Sequence, residues 1–124
     1  TEYAWTELTM PVGWNGGAVQ LQFLWSHIHG SSGDVVWAAE AFHASDAVLL
    51  DANLSTPVTL TDTLAAANTL SLSMLSTDIV PAGTSTGITQ LYLRISRQAS
   101  NSADTLAADA RLHGLVLHYI QEGI

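Results

Sequence analysis

The chain contains no cysteine and no lysine, and it is poor in charge of either sign. The lack of cysteine excludes disulfide bonds and thiolate metal centres. Three arginines against eleven acidic residues leave a net charge of −8. A domain this acidic repels phosphate backbones, so we expect no nucleic-acid partner. No apolar run approaches the roughly 20 residues that span a bilayer, and anionic headgroups are disfavoured electrostatically, so we expect no membrane partner.

What the chain does contain is an apolar surplus. Its 124 residues are enough for one domain, which we place at 1–124. Only 11% of the residues are charged, whereas about 25% is usual in soluble domains. A domain so poor in charge tends to cover part of its surface with copies of itself or with a larger assembly. We therefore expect a homo-oligomer. Because the chain begins at Thr1 rather than Met, we expect it to be processed, trimmed or part of something longer.

Apolar and polar residues alternate along most of the chain, which is the pattern of β-strands. The prediction is an all-β fold: an antiparallel two-sheet sandwich, jelly-roll-like, with seven or eight strands. Segment 44–54 breaks the alternation and is expected to form a short helix or an irregular crossover. The strands are predicted at 3–10, 18–28, 35–43, from Pro57, over 70–74, at 78–80, 88–97 and 111–120. The residues expected between the sheets are Val19, Leu21, Phe23, Trp25, Leu91, Leu93 and Ile95.

The connection between the last two strands carries Asp104 and Asp109, with Arg97 before it and Arg111 after it. A buried arginine without a partner would be too costly to keep. We therefore predict structural ion pairs in which Arg97 or Arg111 binds Asp104 or Asp109. Together with Asp46 and Asp51 of segment 44–54, these carboxylates also suit Ca²⁺, but no EF-hand or repeat spacing is present, so this stays the alternative.

The last predicted strand is apolar on both sides, although a two-sheet sandwich offers its interior to only one of them. Either a loop of the same chain or another subunit must cover the second side, and the low charge of the chain favours the subunit. The expected interface residues are Leu112, Val116 and Ile120 on one side and Leu115, Leu117 and Tyr119 on the other.

Trp14 lies in a glycine-rich turn at 12–17 and is the tryptophan expected to be exposed. An exposed tryptophan can stack on a sugar ring, and it can equally plug a contact between subunits. Trp25 and Trp37 lie within apolar strands and are expected in the core.

Signals for catalysis are weak. His27 and His29 form a His-x-His pair of the kind that binds metal in cupins, but the remaining ligands of that pattern do not follow. His43, His113 and His118 lie in strands and are expected to make local contacts. No G-x-S-x-G elbow is present. We expect no enzyme activity, no cofactor and no metal.

Four sequence elements carry a resemblance to a known group. They are an MP…GG turn at 10–17, a GD pair followed by Trp37, a TPVTLTDT segment at 56–63, and R-x-A-S-x-x-x-D-T-L-A-x-D-A-R-L-x-G at 97–114. Over nearly its whole length the chain resembles small structural proteins encoded by tailed bacteriophages and prophages. The resemblance implies a non-enzymatic virion protein of β-sandwich fold, trimeric and in contact with other virion proteins. It would decorate the capsid or form a fibre or tail domain. The alternative is a module that binds a glycan on the host surface.

Overall fold

The computed structural model describes residues 2–28, 32–48, 50, 53–64 and 66–122. Within these residues it contains eight strands in two sheets and no helix, so the predicted all-β sandwich is confirmed. In particular, the described part has no helix long and apolar enough to cross a membrane. The strands are β1 (Tyr3–Thr9), β2 (Trp14–Ser26), β3 (Asp34–Ala44), β4 (Val58–Thr63), β5 (Ser71–Leu72), β6 (Ala82–Thr84), β7 (Gln90–Arg97) and β8 (Arg111–Gln121).

The two sheets divide the strands unequally. The larger sheet has the order β1-β7-β3-β4, and β6 adds to β3 in parallel. The smaller sheet has the order β5-β2-β8. The last two strands therefore lie in different sheets, and the connection at 98–110 crosses from one sheet to the other. Strands β1 and β8 are edge strands, because among the described strands each pairs with a single neighbour.

The core lies between the sheets and contains every side chain predicted there. All seven predicted core residues are at most 2% exposed. Phe23 stacks on Trp37 across the interior with a centroid distance of 5.7 Å, and Trp25 meets the same ring edge-on at 6.1 Å. The Trp25 Nε1–H also donates to Asp62 Oδ2 at 2.7 Å. This bond gives a buried polar group its partner and joins the two sheets directly.

The prediction that Trp14 is exposed is wrong. Strand β2 begins at Trp14 instead of after the glycines, and its register shifts between Trp14 and Val19. Gly16 adopts φ = +78°, which glycine accepts without strain, so the strand bulges and continues. The bulge carries the Trp14 ring over the end of the core, where the residue is 8% exposed and its ring lies 5.4 Å from that of His43.

The alternation at 70–74 has its apolar side outward. Leu72 and Met74 are 55% and 73% exposed, whereas Ser73 is buried. Hydrogen bonding explains why the serine side chains, and not the apolar ones, face inward. Ser73 Oγ accepts the Phe23 N–H at 2.8 Å, and Ser76 Oγ accepts the Leu21 N–H at 3.0 Å. These hydroxyls replace the backbone partners that β2 lacks once the two-residue strand β5 has ended.

The long crossover predicted at 44–54 contains a turn and no helix among its described residues, with the Val48 N–H donating to the Ser45 carbonyl at 3.1 Å. Asp51 lies outside the described residues. The short strand expected at 78–80 is reduced to a single bridge between Ile79 and Val19. Strand β6 lies between the strands predicted at 78–80 and 88–97, in a segment for which the alternation predicts no strand.

Candidate functional site

Arg97, the last residue of β7, holds the connection at 98–110 by several hydrogen bonds. Its Nε–H and Nη2–H groups donate to Asp104 at 3.0 and 2.7 Å, and further bonds reach the carbonyls of Leu106 at 2.6 Å and Ala108 at 2.5 Å. The Asp104 side chain is 1% exposed and also accepts the Val36 N–H at 3.0 Å. Burial acts to raise the pKa of Asp104, but the bonds from Arg97 and Val36, with the charge of Arg97, hold that pKa below its ordinary value.

Two further motif elements meet the same connection. The Asp34 N–H donates to Thr105 Oγ1 at 2.9 Å, and the Asp34 carbonyl accepts the N–H groups of Thr105 and Leu106. The carboxylate of Asp34 accepts the Thr63 hydroxyl at 2.7 Å. Gly33 approaches so closely that a Cβ there would lie 2.8 Å from the backbone of Leu106. We call this assembly of Gly33, Asp34, Thr63, Arg97, Asp104, Thr105 and Leu106 the loop joint. It explains three of the four motif elements as parts of one structural contact.

Four charged residues were candidates for the predicted ion pairs, and the loop joint contains two of them, Arg97 and Asp104. The pairing of Arg97 with Asp104 is confirmed. Asp109 contributes its backbone carbonyl to His27 Nδ1 at 3.1 Å, and no ion pair of Asp109 or Arg111 occurs among the described residues. Both carboxylate oxygens of Asp104 accept hydrogen bonds from Arg97, so this group is not held ready for a cation.

The predicted interface strand, β8, is the outer strand of the smaller sheet. Leu115 and Leu117 stand opposite Phe23 and Leu21 of β2 and pack against the core, half-buried. The prediction that Leu112 shares a side with Val116 and Ile120 is wrong. The register shifts between Leu24 and Trp25, so that Leu112 packs against the core with the other two leucines. A bulge of one residue reverses the side on which every following residue lies.

Between β1 and β8 the sandwich is open. Because the smaller sheet has three strands and the larger sheet has five, the side of the core next to β8 lacks a covering strand. The opening is an apolar groove of about 300 Å³. We call it the edge groove. It is lined by Ala4, Trp5, Thr6 and Leu8 of β1, by Leu21 of β2, by Leu93 and Ile95 of β7, and by Leu112, His113, Gly114, Leu115 and Leu117 of β8.

A second cleft, of about 480 Å³, lies on the outer face of the larger sheet. Strand pairing places Trp5, Arg94 and Glu40 directly opposite one another on β1, β7 and β3. Arg94 is bound to Glu40 by three hydrogen bonds of 2.7 to 2.9 Å. The guanidinium carbon lies 4.4 Å from the ring centroid of Tyr3 and 5.6 Å from that of Trp5. We call this the aromatic cleft.

Sequence reasoning missed the aromatic cleft, although part of the signal was present. In β1, Tyr3, Trp5 and Glu7 alternate with smaller residues and so share one face. That strand was predicted without a statement about its two faces. The rest of the cleft depends on Arg94 and Glu40, which are distant in sequence and meet only through the order of the strands.

The histidines make local contacts. His43 Nε2 faces the Gly83 carbonyl at 3.1 Å, which can only accept, so Nε2 carries the proton and Nδ1 accepts the Ser85 hydroxyl at 3.0 Å. His43 is 7% exposed and its ring packs against that of Trp14. Its two hydrogen bonds connect β3 with β6 and with the residue that follows β6. His29 lies outside the described residues. Within those residues, no group of three or more potential ligands is arranged to hold a metal ion.

Comparison with models of protein families, with curated proteins and with solved structures finds no match to this chain.

Proposed function

We propose that this chain is a non-enzymatic structural protein of a bacteriophage particle: a β-sandwich that self-associates and decorates the capsid or forms a fibre or tail domain. The observation that carries the proposal is the edge groove. It leaves the apolar side chains of β8 half-buried beside two strand edges that have no neighbour among the described strands. Exposed edges of this length are prone to pair with another chain.

A second copy of the chain suits the edge groove because β8 begins with an exposed arginine and the region of β1 carries two exposed glutamates. Arg94 and Arg97 are held in ion pairs within the domain, whereas Arg111, at the start of β8, has none among the described residues. On the opposite rim, β1 and the residue before it carry Glu2 and Glu7, both exposed. Docking β8 of one copy against β1 of the next therefore brings opposite charges together.

A contact between two different edges is heterologous, and such contacts form rings when the rotation closes. The resemblance to phage structural proteins favours a ring of three. In this arrangement β1 of each neighbour would lie beside β8 and supply the strand that the smaller sheet lacks. The low proportion of charged residues is consistent with a surface that is covered by assembly.

The oligomeric state tests the proposal. Light scattering at micromolar concentration should give about 40 kDa, three times the chain mass of 13.2 kDa. Thr6→Arg should reduce the mass to that of one chain, because Thr6 is exposed and lines the edge groove. The matched control is Thr61→Arg, an exposed threonine on β4 at the far edge of the larger sheet, which should leave the trimer intact. A wild-type mass near 13 kDa, or equal effects of the two substitutions, would contradict the proposal.

The particle assignment has its own test. The gene for this chain should lie among genes for head and tail proteins, and purified particles should contain the chain in a fixed ratio to the major capsid protein. A chain absent from such particles would contradict the assignment even if the trimer forms.

A further inference from the structure

We propose that the aromatic cleft binds a neutral oligosaccharide of pyranose units, with the Trp5 ring as the stacking platform and the Arg94–Glu40 pair as the hydrogen-bonding floor. The three side chains stand in one row across β1, β7 and β3, directly opposite one another. In the next row along the same face, Tyr92 and Phe42 stand opposite one another on β7 and β3.

Trp5 differs from the other three tryptophans of the chain. It is 61% exposed, whereas Trp14, Trp25 and Trp37 are all 8% exposed or less. An indole ring that faces water leaves a large apolar area unburied, and in a folded domain such an area often marks a binding surface. The Tyr3 ring, 50% exposed, extends this surface along the same face of β1, with the Arg94 guanidinium carbon 4.4 Å from its centroid.

The polar groups of the cleft are held in place before any ligand arrives. Glu40 receives three hydrogen bonds from Nε and Nη2 of Arg94, and the side chains of this pair are 12% and 27% exposed. No acceptor for Nη1 of Arg94 occurs among the described residues, so this group remains available to a ligand hydroxyl. Fixed donors and acceptors lower the ordering cost of binding.

One wall of the cleft is formed by Leu50, Asn53 and Leu54. The chain beyond this wall is attached to β3, since the Ser55 N–H donates to the Ala41 carbonyl at 2.9 Å and Ser55 Oγ accepts the Ala41 N–H at 3.0 Å. The cleft volume of about 480 Å³ lies within the roughly 300–1,000 Å³ of small-molecule sites. The Asn53 amide adds a group that can both donate and accept.

This combination matches the chemistry of a pyranose. The ring presents a flat face of C–H groups, which packs on an indole, and a rim of hydroxyls, which bond to carboxylate, guanidinium and amide groups. A neutral sugar is favoured over an acidic one because Glu7 stands beside Trp5 on the same face and the chain carries a net charge of −8. Trp5 also lines the edge groove, whereas the other residues of the aromatic cleft do not, so the glycan site and the self-association surface share this one side chain.

The single exposed tryptophan provides the assay. We would screen the wild-type protein, in the oligomeric state it has in solution, on an array of neutral oligosaccharides. The array would contain hexose and N-acetylhexosamine chains of three to six units. Acrylamide quenching of tryptophan fluorescence should then be measured with each glycan that binds. Because Trp5 is the accessible tryptophan, a sugar stacked on it should remove most of the quenchable signal.

Three variants decide the outcome. Trp5→Ala should weaken binding about tenfold or more, the size of effect expected of a dominant contact. Glu40→Gln keeps the shape of the side chain but removes its charge and so weakens its hydrogen bonds with Arg94. This variant should reduce glycan affinity by less than Trp5→Ala does. Met74→Ala removes a side chain that is 73% exposed and faces outward beside the smaller sheet, and it should leave glycan affinity unchanged. Glu40→Gln and Met74→Ala should keep the oligomeric mass of the wild type, and the mass of Trp5→Ala is measured together with its affinity because Trp5 also lines the edge groove.

The opposite results are equally clear. The proposal is overturned if no glycan binds at concentrations on the order of 10 mM, or if a glycan binds without protecting Trp5 from acrylamide. It is also overturned if Trp5→Ala dissociates the oligomer while leaving glycan affinity unchanged, because Trp5 would then belong to a subunit contact. A monomeric wild type that still binds the sugar would refute self-association alone.

Discussion

Replacing Arg97 with methionine tests the loop joint, because methionine keeps much of the side-chain bulk and removes every hydrogen bond. The substitution leaves the Asp104 carboxylate, 1% exposed, with the Val36 N–H as its remaining hydrogen bond. It also removes the donors to the carbonyls of Leu106 and Ala108.

The expected cost follows from the burial of this pair. Breaking a buried ion pair costs about 3–5 kcal/mol, since one charge stays behind without compensation. The Arg97 side chain is 19% exposed, so water can partly replace it and the lower end of that range applies. We therefore expect Arg97→Met to lower the free energy of unfolding by about 3 kcal/mol at pH 7. Urea unfolding followed by circular dichroism measures this directly.

The pH dependence provides an independent check. The pKa of Asp104 is lowered in the folded state, so the pair contributes stability above the unfolded-state pKa of about 3.9. That contribution is lost as the pH falls through the lower, folded-state pKa. In Arg97→Met, only the Val36 N–H opposes the effect of burial, so the pKa of Asp104 should be higher than in the wild type and the difference in stability between the two proteins should narrow in acid. Arg94→Met is the matched control and should cost about 1 kcal/mol or less, because its pair lies nearer the surface. A loss below half a kilocalorie for Arg97→Met, or a loss independent of pH, would refute the reasoning.

Three further substitutions test the packing, each by urea unfolding. Leu93→Ala should cost about 2–5 kcal/mol, because Leu93 is 1% exposed in the core; under half a kilocalorie would contradict its inward position. Ser73→Ala should cost about 1–3 kcal/mol, because it leaves a buried β2 amide without its acceptor. Leu72→Ala should cost less, because Leu72 is 55% exposed. The reverse order would contradict the inward position of Ser73 and the outward position of Leu72. At Gly83, φ is +92° and a Cβ would lie 2.5 Å from the β3 backbone. Gly83→Ala should therefore destabilise the protein more than Gly87→Ala, where nothing lies near the Cβ position. Equal losses would contradict the close approach of Gly83 to β3.

The sequence alone determined the two-sheet β architecture and the inward-facing residues of β2 and β7. Alternation in β2 and β7 identified the core from Val19 to Trp25 and from Leu91 to Ile95, because the two-residue period of a strand fixes which side chains share a face. The need to compensate a buried arginine also restricted Arg97 to two carboxylate partners, and the structure selects Asp104.

Tertiary structure decided what periodicity leaves open. Alternation does not say which face is inward, so hydrogen bonds to β2 placed Ser73 inside and Met74 outside. A bulge reverses the faces beyond it, and only the observed register reveals that Leu112 turns inward. Strand order is a further unknown. The row of Trp5, Arg94 and Glu40 exists because β1 and β3 flank β7. This strand order depends on how the whole core is buried, and no local segment of the sequence specifies it.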